Sequence, residues 1–319
     1  MNKGNFNNLE AAKDFLMARF RDITLRQLRA LAAVDSCGTL TSAAHKLNLT
    51  QPAVTLQIKG LQDLIGLPLI QRTSDGMILT AAGREVLAMH GRMESALADC
   101  RTTVDMLAGS SGGRVTIAAV STAKYFVPFA IAGFLKRFPG IDVSLQIGNR
   151  EEVRDALRGY ELDIAIMGRP PADVDVEIRL IGEHPHTIVA PATHRLARKR
   201  RLKPSAIADE VFITREQGSG TRMLMEQFFS ANRLQPKVGM EMSSNETIKQ
   251  AVIANLGIAF ISKHTVASEL ADGRLVTLDI AGLPVIRNWH VARRHDKILL
   301  PPAQAMLDFL GREGARFLP

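Results

Sequence analysis

The chain has few cysteines and no long apolar run. Only Cys37 and Cys100 occur among 319 residues, too few for a disulfide framework. No segment approaches the roughly 18 to 20 consecutive apolar residues of a membrane-spanning helix, and the polar, Asn-rich start lacks the apolar core of a signal peptide. These absences predict a cytoplasmic protein without a membrane partner, and they argue against secreted solute-binding proteins.

Motifs for catalysis and for tightly held cofactors are also missing. Gly218-Ser219-Gly220 lacks the spacing and the Lys of a P-loop, and no Gly-x-Ser-x-Gly, His-Glu-x-x-His or Cys-x-x-Cys occurs. His184, His186 and His194 have no nearby Cys or carboxylate cluster, so we expect no metal there. We therefore predict neither an enzyme nor a resident cofactor.

What the chain does have is basic charge and enough length for two domains. Forty Lys and Arg against 32 Asp and Glu give a net charge of +8, which favours a polyanionic partner. At about 150 residues per domain, the length predicts two domains with cores of their own. The basic run from Arg195 to Lys203 is interpreted as a solvated helix end, with an interface or DNA contact as the alternative.

Three short helices and a hairpin are predicted over residues 23–82, after an N-terminal extension at 1–22. Thr24, Thr41 and Thr50 each precede helical periodicity and are the predicted N-caps. The helices run from Thr24 to Cys37, from Ser42 to Leu47 and from Thr50 to Ile65. Asp75-Gly76 predicts a hairpin, or wing, between short apolar strands at 69–72 and 77–79.

The second and third helices meet at a two-residue break, as in a helix-turn-helix. On the third helix Gln51, Thr55 and Lys59 lie at i, i+4 and i+8, away from the apolar stripe. Gln can pair with adenine, Thr can offer a methyl group to thymine, and Lys can reach guanine or a phosphate. Arg72 and the hydroxyl of Thr50 are better placed for phosphates. A polar helix face without a nucleic-acid role is the alternative.

A long helix over residues 83–108 carries an apolar seam with alternating spacings of three and four. Its members are Val86, His90, Met93, Leu97, Cys100, Val104 and Leu107. The seam is interpreted as a coiled coil that pairs two chains through Val86, Met93, Leu97, Val104 and Leu107. One helix packed on its own domain is the alternative.

Strands and helices alternate after a hinge at 109–113 and predict two α/β units with parallel sheets. Strands are expected at 115–120, 142–147, 163–167, 211–214, 238–242 and 258–262, and helices at 123–138, at 151–159, from Thr221 and from Asn245. Residues 285–292 and the helix after Pro301-Pro302 return to the first unit. Subdomain I therefore comprises 114–188 and 289–319, and subdomain II comprises 189–288.

Several strand-to-helix turns of these subdomains offer groups that bind anions. Free amides at a helix start and the helix dipole favour negative charge, and the cleft between subdomains is the usual ligand position. Each turn could equally be an ordinary capped helix start, and Arg169 a surface salt-bridge partner. The candidate residues are Ser121, Thr122, Lys124, Arg169, Gln217, Ser219, Gly220, Thr221, Arg222, Asn245, Glu246 and Thr247.

The run from Leu25 to Arg72 resembles the winged helix-turn-helix of LysR-type transcriptional regulators. The resemblance is carried by Gly38-Thr39-Leu40-Thr41-Ser42-Ala43-Ala44, by Thr50-Gln51-Pro52-Ala53-Val54-Thr55 and by Leu79-Thr80-Ala81-Ala82-Gly83. It implies DNA contacts at Ser42, Pro52 and Gln57 as well, and two Rossmann-like subdomains of periplasmic-binding-protein type II after the long helix. Gln62, Ile70 and Leu56 depart from the family, which usually has Glu, Phe and often Arg there.

The α/β half is most similar to the CbbR group, regulators of Calvin-cycle operons. Segments 120–128, 148–151, 166–170 and 215–222 carry this similarity, and it adds Asn149 to the effector residues. It implies a homotetramer on promoter DNA that activates carbon-fixation genes, contacts RNA polymerase and reversibly binds a phosphorylated metabolite or NADPH. A LysR-type regulator of another pathway with a different small anion is the alternative. A solute-binding or enzymatic α/β module with an accessory helical domain is the alternative of another class.

Overall fold

The computed structural model describes residues 20–74, 76–109 and 112–319, which form two compact units divided between Ala98 and Asp99. Residues 1–19 of the predicted extension lie outside the described residues, as do Asp75 of the wing and Ser110 and Ser111 of the hinge.

The first unit contains the predicted three helices and the wing. These are α1 (Leu25–Cys37), α2 (Leu40–Leu47), α3 (Gln51–Ile65), β1 (Ile70–Thr73) and β2 (Gly76–Leu79), followed by α4 (Ala81–Leu107), which continues into the second unit. The strands β1 and β2 pair antiparallel, which confirms the hairpin.

Local side-chain chemistry sets the helix ends. Thr24 and Thr50 accept hydrogen bonds from the backbone N–H of Gln27 and Ala53, which confirms both N-caps. The cap predicted at Thr41 is wrong: Thr39 accepts from Ser42, so α2 begins two residues earlier than expected.

The core of the first unit lies between the three helices. Ala43 and Ala44 are buried on α2 and let it approach its neighbours closely, while Leu28, Leu61 and Val54 fill the centre. Burial of each such aliphatic side chain stabilises the fold by about 1.5–3 kcal/mol. The apolar stripe of α3 is therefore fixed inward, and its opposite face is left outside.

The second unit contains one large mixed sheet, where a parallel one was predicted, and a two-stranded sheet that is parallel as predicted. Its main strands are β3 (Arg114–Val120), β4 (Asp142–Gly148), β5 (Ile164–Met167), β6 (Val176–Pro191), β7 (Val211–Arg215), β8 (Lys237–Met242), β9 (Ala259–Ser262), β10 (Leu275–Thr277) and β11 (Val285–Arg294). The order in the large sheet is β10-β6-β11-β5-β3-β4, with β9 also paired to β6, and a separate pair joins β7 to β8. β3 is parallel to β4 and β5, but β6 and β11 run antiparallel to their partners.

The sequence reasoning missed β6, a 16-residue strand that pairs with β11 from Val176 to His186. These two strands pass from one predicted subdomain to the other. The predicted return of the chain is confirmed, because β11 pairs with β5, and the C-terminal helix packs Met306 and Leu310 into the core of subdomain I.

Helices cover the sheets in the order that the sequence predicted. They are α5 (Val127–Arg137), α6 (Arg150–Arg158), α7 (Gly220–Ala231), α8 (Asn245–Ile253), α9 (Ala267–Ala271) and α10 (Pro301–Glu313). The helix expected at 123–138 is divided: a 3₁₀ turn covers Ala123–Tyr125, and Pro128, which lacks an N–H, lies in the first turn of α5. The basic run 195–203 lies in turns, so the predicted helix end is wrong there, although its Arg and Lys side chains are exposed.

Candidate functional site

The outward face of α3 presents the residues predicted to read DNA. Gln51, Pro52, Thr55 and Lys59 are exposed, whereas Gln57 is half-buried. The hydroxyl of Thr55 donates to the carbonyl of Gln51 at 2.9 Å. The structure thus leaves a mixed polar and apolar face on this helix.

Two further predicted DNA contacts flank α3. Ser42 is exposed at the start of α2, where its Oγ accepts from the hydroxyl of Thr39 at 2.9 Å. Arg72 is exposed on β1 of the wing, within the same unit. Together with the Thr50 hydroxyl they surround α3 with groups suited to phosphates.

The predicted seam of α4 divides in two. Val86 is 6% exposed and packs into the core of the first unit, so its assignment to a dimer interface is corrected. Met93, Leu97, Val104 and Leu107 are exposed, from 38% at Met93 to 84% at Leu107. Pairing of two chains through these four remains a prediction.

A cavity of about 70 Å³ lies in the second unit, where residues of both predicted subdomains meet. Subdomain I contributes the end of β3 and the start of α6, subdomain II contributes the start of α7, and β6 and β11 add side chains. The lining residues are Val120, Ser121, Thr122, Asn149, Arg150, Gly168, Arg169, His184, His186, Arg215, Ser219, Gly220, Thr221, Met223, Leu224, Gln227 and Arg287.

Two helix N-termini face each other at this cavity. The Asn149 side chain caps α6 by accepting from the amides of Glu151 and Glu152 at 2.9 and 3.0 Å. Ser219, before α7, makes no capping hydrogen bond. A Cβ added at Gly220 would lie 3.5 Å from Cδ of Arg150, so the start of α7 packs directly on the start of α6. Both helix dipoles therefore favour an anion at this place.

Arginines give the cavity its charge. Arg150, Arg169, Arg215 and Arg287 line it, and no Asp or Glu appears among the described residues that do. Arg215 is buried and paired with Glu216 at 2.7 Å. Burial, and then the neighbouring charge of Arg169, lowers the pKa of the Arg150 guanidinium. An anion between these groups would offset that cost.

Neutral imidazoles form another wall. The ring of His184 stacks on Trp289 with centroids 3.7 Å apart, and its Nε2 lies 2.9 Å from Oγ of Ser262. Burial holds the pKa of His184 well below its ordinary value and lowers that of His186 to about 4. At neutral pH these imidazoles add no charge, so the positive field comes from the arginines.

Next to the cavity lies a paired ion network, which we call the Glu246 network: Lys124, Tyr125, Glu246, Lys249 and Glu269. The Tyr125 hydroxyl donates to Glu246, and Lys124 lies 3.5 Å from the same carboxylate. Buried Lys249 contacts Glu246 at 2.9 Å and buried Glu269 at 3.0 Å. The network joins subdomain I to subdomain II without a ligand.

The structure brings together only part of the predicted effector set. Ser121, Thr122, Asn149, Arg169, Ser219, Gly220 and Thr221 line the cavity. Lys124, Gln217, Arg222, Asn245, Glu246 and Thr247 are not among its lining residues. Lys124 and Glu246 bind each other, Asn245 accepts from Arg215 at 2.7 Å, and Arg222 pairs with Glu226 and Glu241.

Sequence reasoning missed Arg150, Arg215, Arg287, His184 and His186 as lining residues. Arg150 had a signal, since it follows the capping Asn149. His184, His186 and Arg287 come from β6 and β11, whose crossing between the subdomains the sequence did not reveal. Within the described ranges no group of three or more His, Cys, Asp or Glu is arranged to hold a metal, and no helix is long and apolar enough to cross a membrane.

A winged helix-turn-helix, a long helix and an α/β unit with a charged cavity define a ligand-responsive DNA-binding regulator. The family model described as "Bacterial regulatory helix-turn-helix protein, lysR family" matches residues 25–84, and "LysR substrate binding domain" matches residues 108–315. The chain belongs to the LysR family of transcriptional regulators.

Relatives cover nearly the whole chain. The regulator CbbR of Xanthobacter flavus is 48% identical over 93% of this chain and 90% of its own length. The "RuBisCO operon transcriptional regulator" of Allochromatium vinosum is 40% identical over 92% and 97%. Among solved structures, the Synechocystis CcmR regulatory domain in complex with 2-PG shares 38% identity and a TM-score of 0.60, covering 62% of this chain and 95% of that one.

Proposed function

We propose that this chain regulates carbon-fixation genes in response to a compact anion bound in the cavity. The gene class is supported by relatives named for CbbR and the RuBisCO operon, matched over more than 90% of the chain. One observation carries the effector class: four arginines, only one of them in an ion pair among the described residues, line a cavity at two helix N-termini.

The effector we propose carries at least two negative charges and few atoms. Arg150, Arg169 and Arg287 form no ion pair within the described residues, so a monoanion would leave most of their charge unmatched. A cavity of about 70 Å³ favours a small phosphorylated carboxylate over a dinucleotide such as NADPH. The CcmR complex with 2-PG supports the same class.

The anion would act by joining the subdomains. One end would bind at α6 and Arg150 in subdomain I, and the other at α7 and Ser219 in subdomain II. A ligand with differential affinity for the closed arrangement shifts the population toward it. We further propose that Met93, Leu97, Val104 and Leu107 pair two chains, that tetramers bind promoter DNA in the cytoplasm, and that they contact RNA polymerase.

Thermal denaturation of the full-length protein with a ligand panel tests the effector class. We expect 2-phosphoglycolate or 2-phosphoglycerate to raise the midpoint by several degrees at saturation, because binding to the folded state alone stabilises it. NADPH and benzoate should have no effect. Stabilisation by benzoate alone would indicate a regulator of another pathway, and stabilisation by NADPH alone would reject the compact effector.

The gene class needs a separate measurement. Footprinting on DNA upstream of carbon-fixation genes should show a protected site with inverted symmetry, and binding should weaken steeply with salt. Equal affinity for that DNA and for random duplex would reject control of those genes.

A further inference from the structure

One leucine interrupts the polar surface of α3. Leu56 is 68% exposed, whereas Val54, Ile58, Leu61 and Ile65 on the same helix are buried. Because an α-helix turns about 100° per residue, Leu56 lies about 200° around the helix from Val54, opposite the core. The outermost ridge of the DNA-reading helix therefore carries an apolar side chain.

The neighbours of Leu56 extend this apolar surface. Pro52, one turn earlier, is exposed and has no N–H to donate. The hydroxyl of Thr55 donates to the carbonyl of Gln51, so its oxygen can only accept a further hydrogen bond, and the Thr methyl group adds apolar surface. Lys59, one turn later, is exposed and supplies the charge that holds a phosphate backbone nearby.

Only one base edge in the major groove matches such a surface. Guanine, cytosine and adenine present donors and acceptors there, whereas thymine adds its C5 methyl group. A leucine against the other edges would remove water from polar groups without replacing their hydrogen bonds.

We propose that Leu56 determines sequence specificity by packing against the C5 methyl group of a thymine in each half-site. The proposal rests on the DNA-binding function. It assigns a base contact to an apolar side chain, whereas the DNA contacts predicted from the sequence on this helix are those of its polar residues and of Pro52.

Deoxyuridine, which is thymidine without this methyl group, gives the test. The full-length protein is used to select duplexes from a random library, and each thymine of the selected site is replaced in turn. We expect a loss of about fourfold in affinity at one thymine of each half-site, the effect of one buried methyl group. Leu56→Ala should lose at least as much on the thymine duplex and show no further loss with deoxyuridine at that position.

Leu67→Ala is the matched control, since Leu67 is also an exposed leucine of this unit, at 56%. It should keep both the affinity and the deoxyuridine effect of the unchanged protein. Ala is a good helix former and both sites are exposed, so the variants should melt like the parent. The proposal is overturned if Leu56→Ala binds with parental affinity, or if it remains sensitive to deoxyuridine at the same thymine. If the parent enriches no sequence, the DNA-binding function fails first, and the proposal fails with it.

Discussion

Basic side chains of the Glu246 network and basic side chains of the cavity wall differ in their partners. Those of the Glu246 network, Lys124 and Lys249, contact carboxylates at 3.5 Å or less. Arg150 and Arg169, on the wall of the cavity, have no carboxylate within 4 Å among the described residues. The first set already has its counter-ions within 4 Å, and we propose that an anionic ligand supplies one to the second. The state of pairing, and not charge alone, is therefore the basis on which we propose the ligand site.

The largest effect should come from removing an unpaired cavity cation. Arg150→Gln should weaken binding of 2-phosphoglycerate about 10- to 100-fold, because a hydrogen bond to a charged group contributes about 1.5–3 kcal/mol. Isothermal titration of the full-length protein measures this. A change below threefold would show that the anion does not use this guanidinium.

Acidification should lower the stability of the folded protein through the neutral histidines that line the cavity. The pKa of His186 is lowered to about 4 by burial, so the unfolded chain binds a proton below about pH 6.5 that the folded chain does not. Stability is complete above pH 6.5 and falls by about 1.4 kcal/mol per pH unit for this residue as the pH drops toward 4.

Chemical denaturation at pH 7, 6 and 5 checks this slope. The variant His186→Asn should reduce the slope, with His184 still contributing to it, whereas His295→Asn, at an exposed histidine, should leave it unchanged. Identical slopes in all three proteins would mean that His186 is not buried neutral.

Within the Glu246 network the effect should be smaller and should fall on stability. Tyr125→Phe removes the hydroxyl that donates to Glu246, a bond that helps raise the pKa of the tyrosine. We expect a loss of about 1 kcal/mol in the free energy of unfolding. Unchanged stability would mean that this bond between the subdomains contributes nothing in solution.

Replacement of Lys124 in the Glu246 network should have the smallest effect on stability and on anion affinity. Lys124→Gln removes a partly exposed ion pair at 3.5 Å, worth at most about 1 kcal/mol. Its affinity for 2-phosphoglycerate should remain within threefold of the parent. A loss equal to that of Arg150→Gln would remove the distinction between paired and unpaired cations.

Local signals were readable from the sequence. The caps at Thr24 and Thr50, the stripe of α3 and the pairing of β1 with β2 act within a few residues, so periodicity and capping chemistry predicted them. Thr39 and Thr41 offer the same capping hydroxyl, so the sequence alone could not decide between them. In the structure Thr39 is the cap. Val86 fits the heptad spacing, but its side chain packs in the core of its own unit.

Pairing over long distances was not readable. Tyr125 and Glu246 are 121 residues apart, and no spacing rule shows that their side chains meet. Similarly, no pattern in the sequence indicates that His184 and Arg287 approach the end of β3, because that depends on the antiparallel pairing of β6 with β11. The composition of the cavity, on which the proposed ligand class rests, became visible only in the fold.

A crystal structure of the full-length protein grown with 2-phosphoglycerate would show where the anion binds. We expect electron density for the anion in the cavity, with its oxygens in hydrogen-bond contact with Arg150 and with the first amides of α7. Density at the Glu246 network, or a cavity that stays empty at saturating ligand while the anion binds elsewhere, would contradict this expectation.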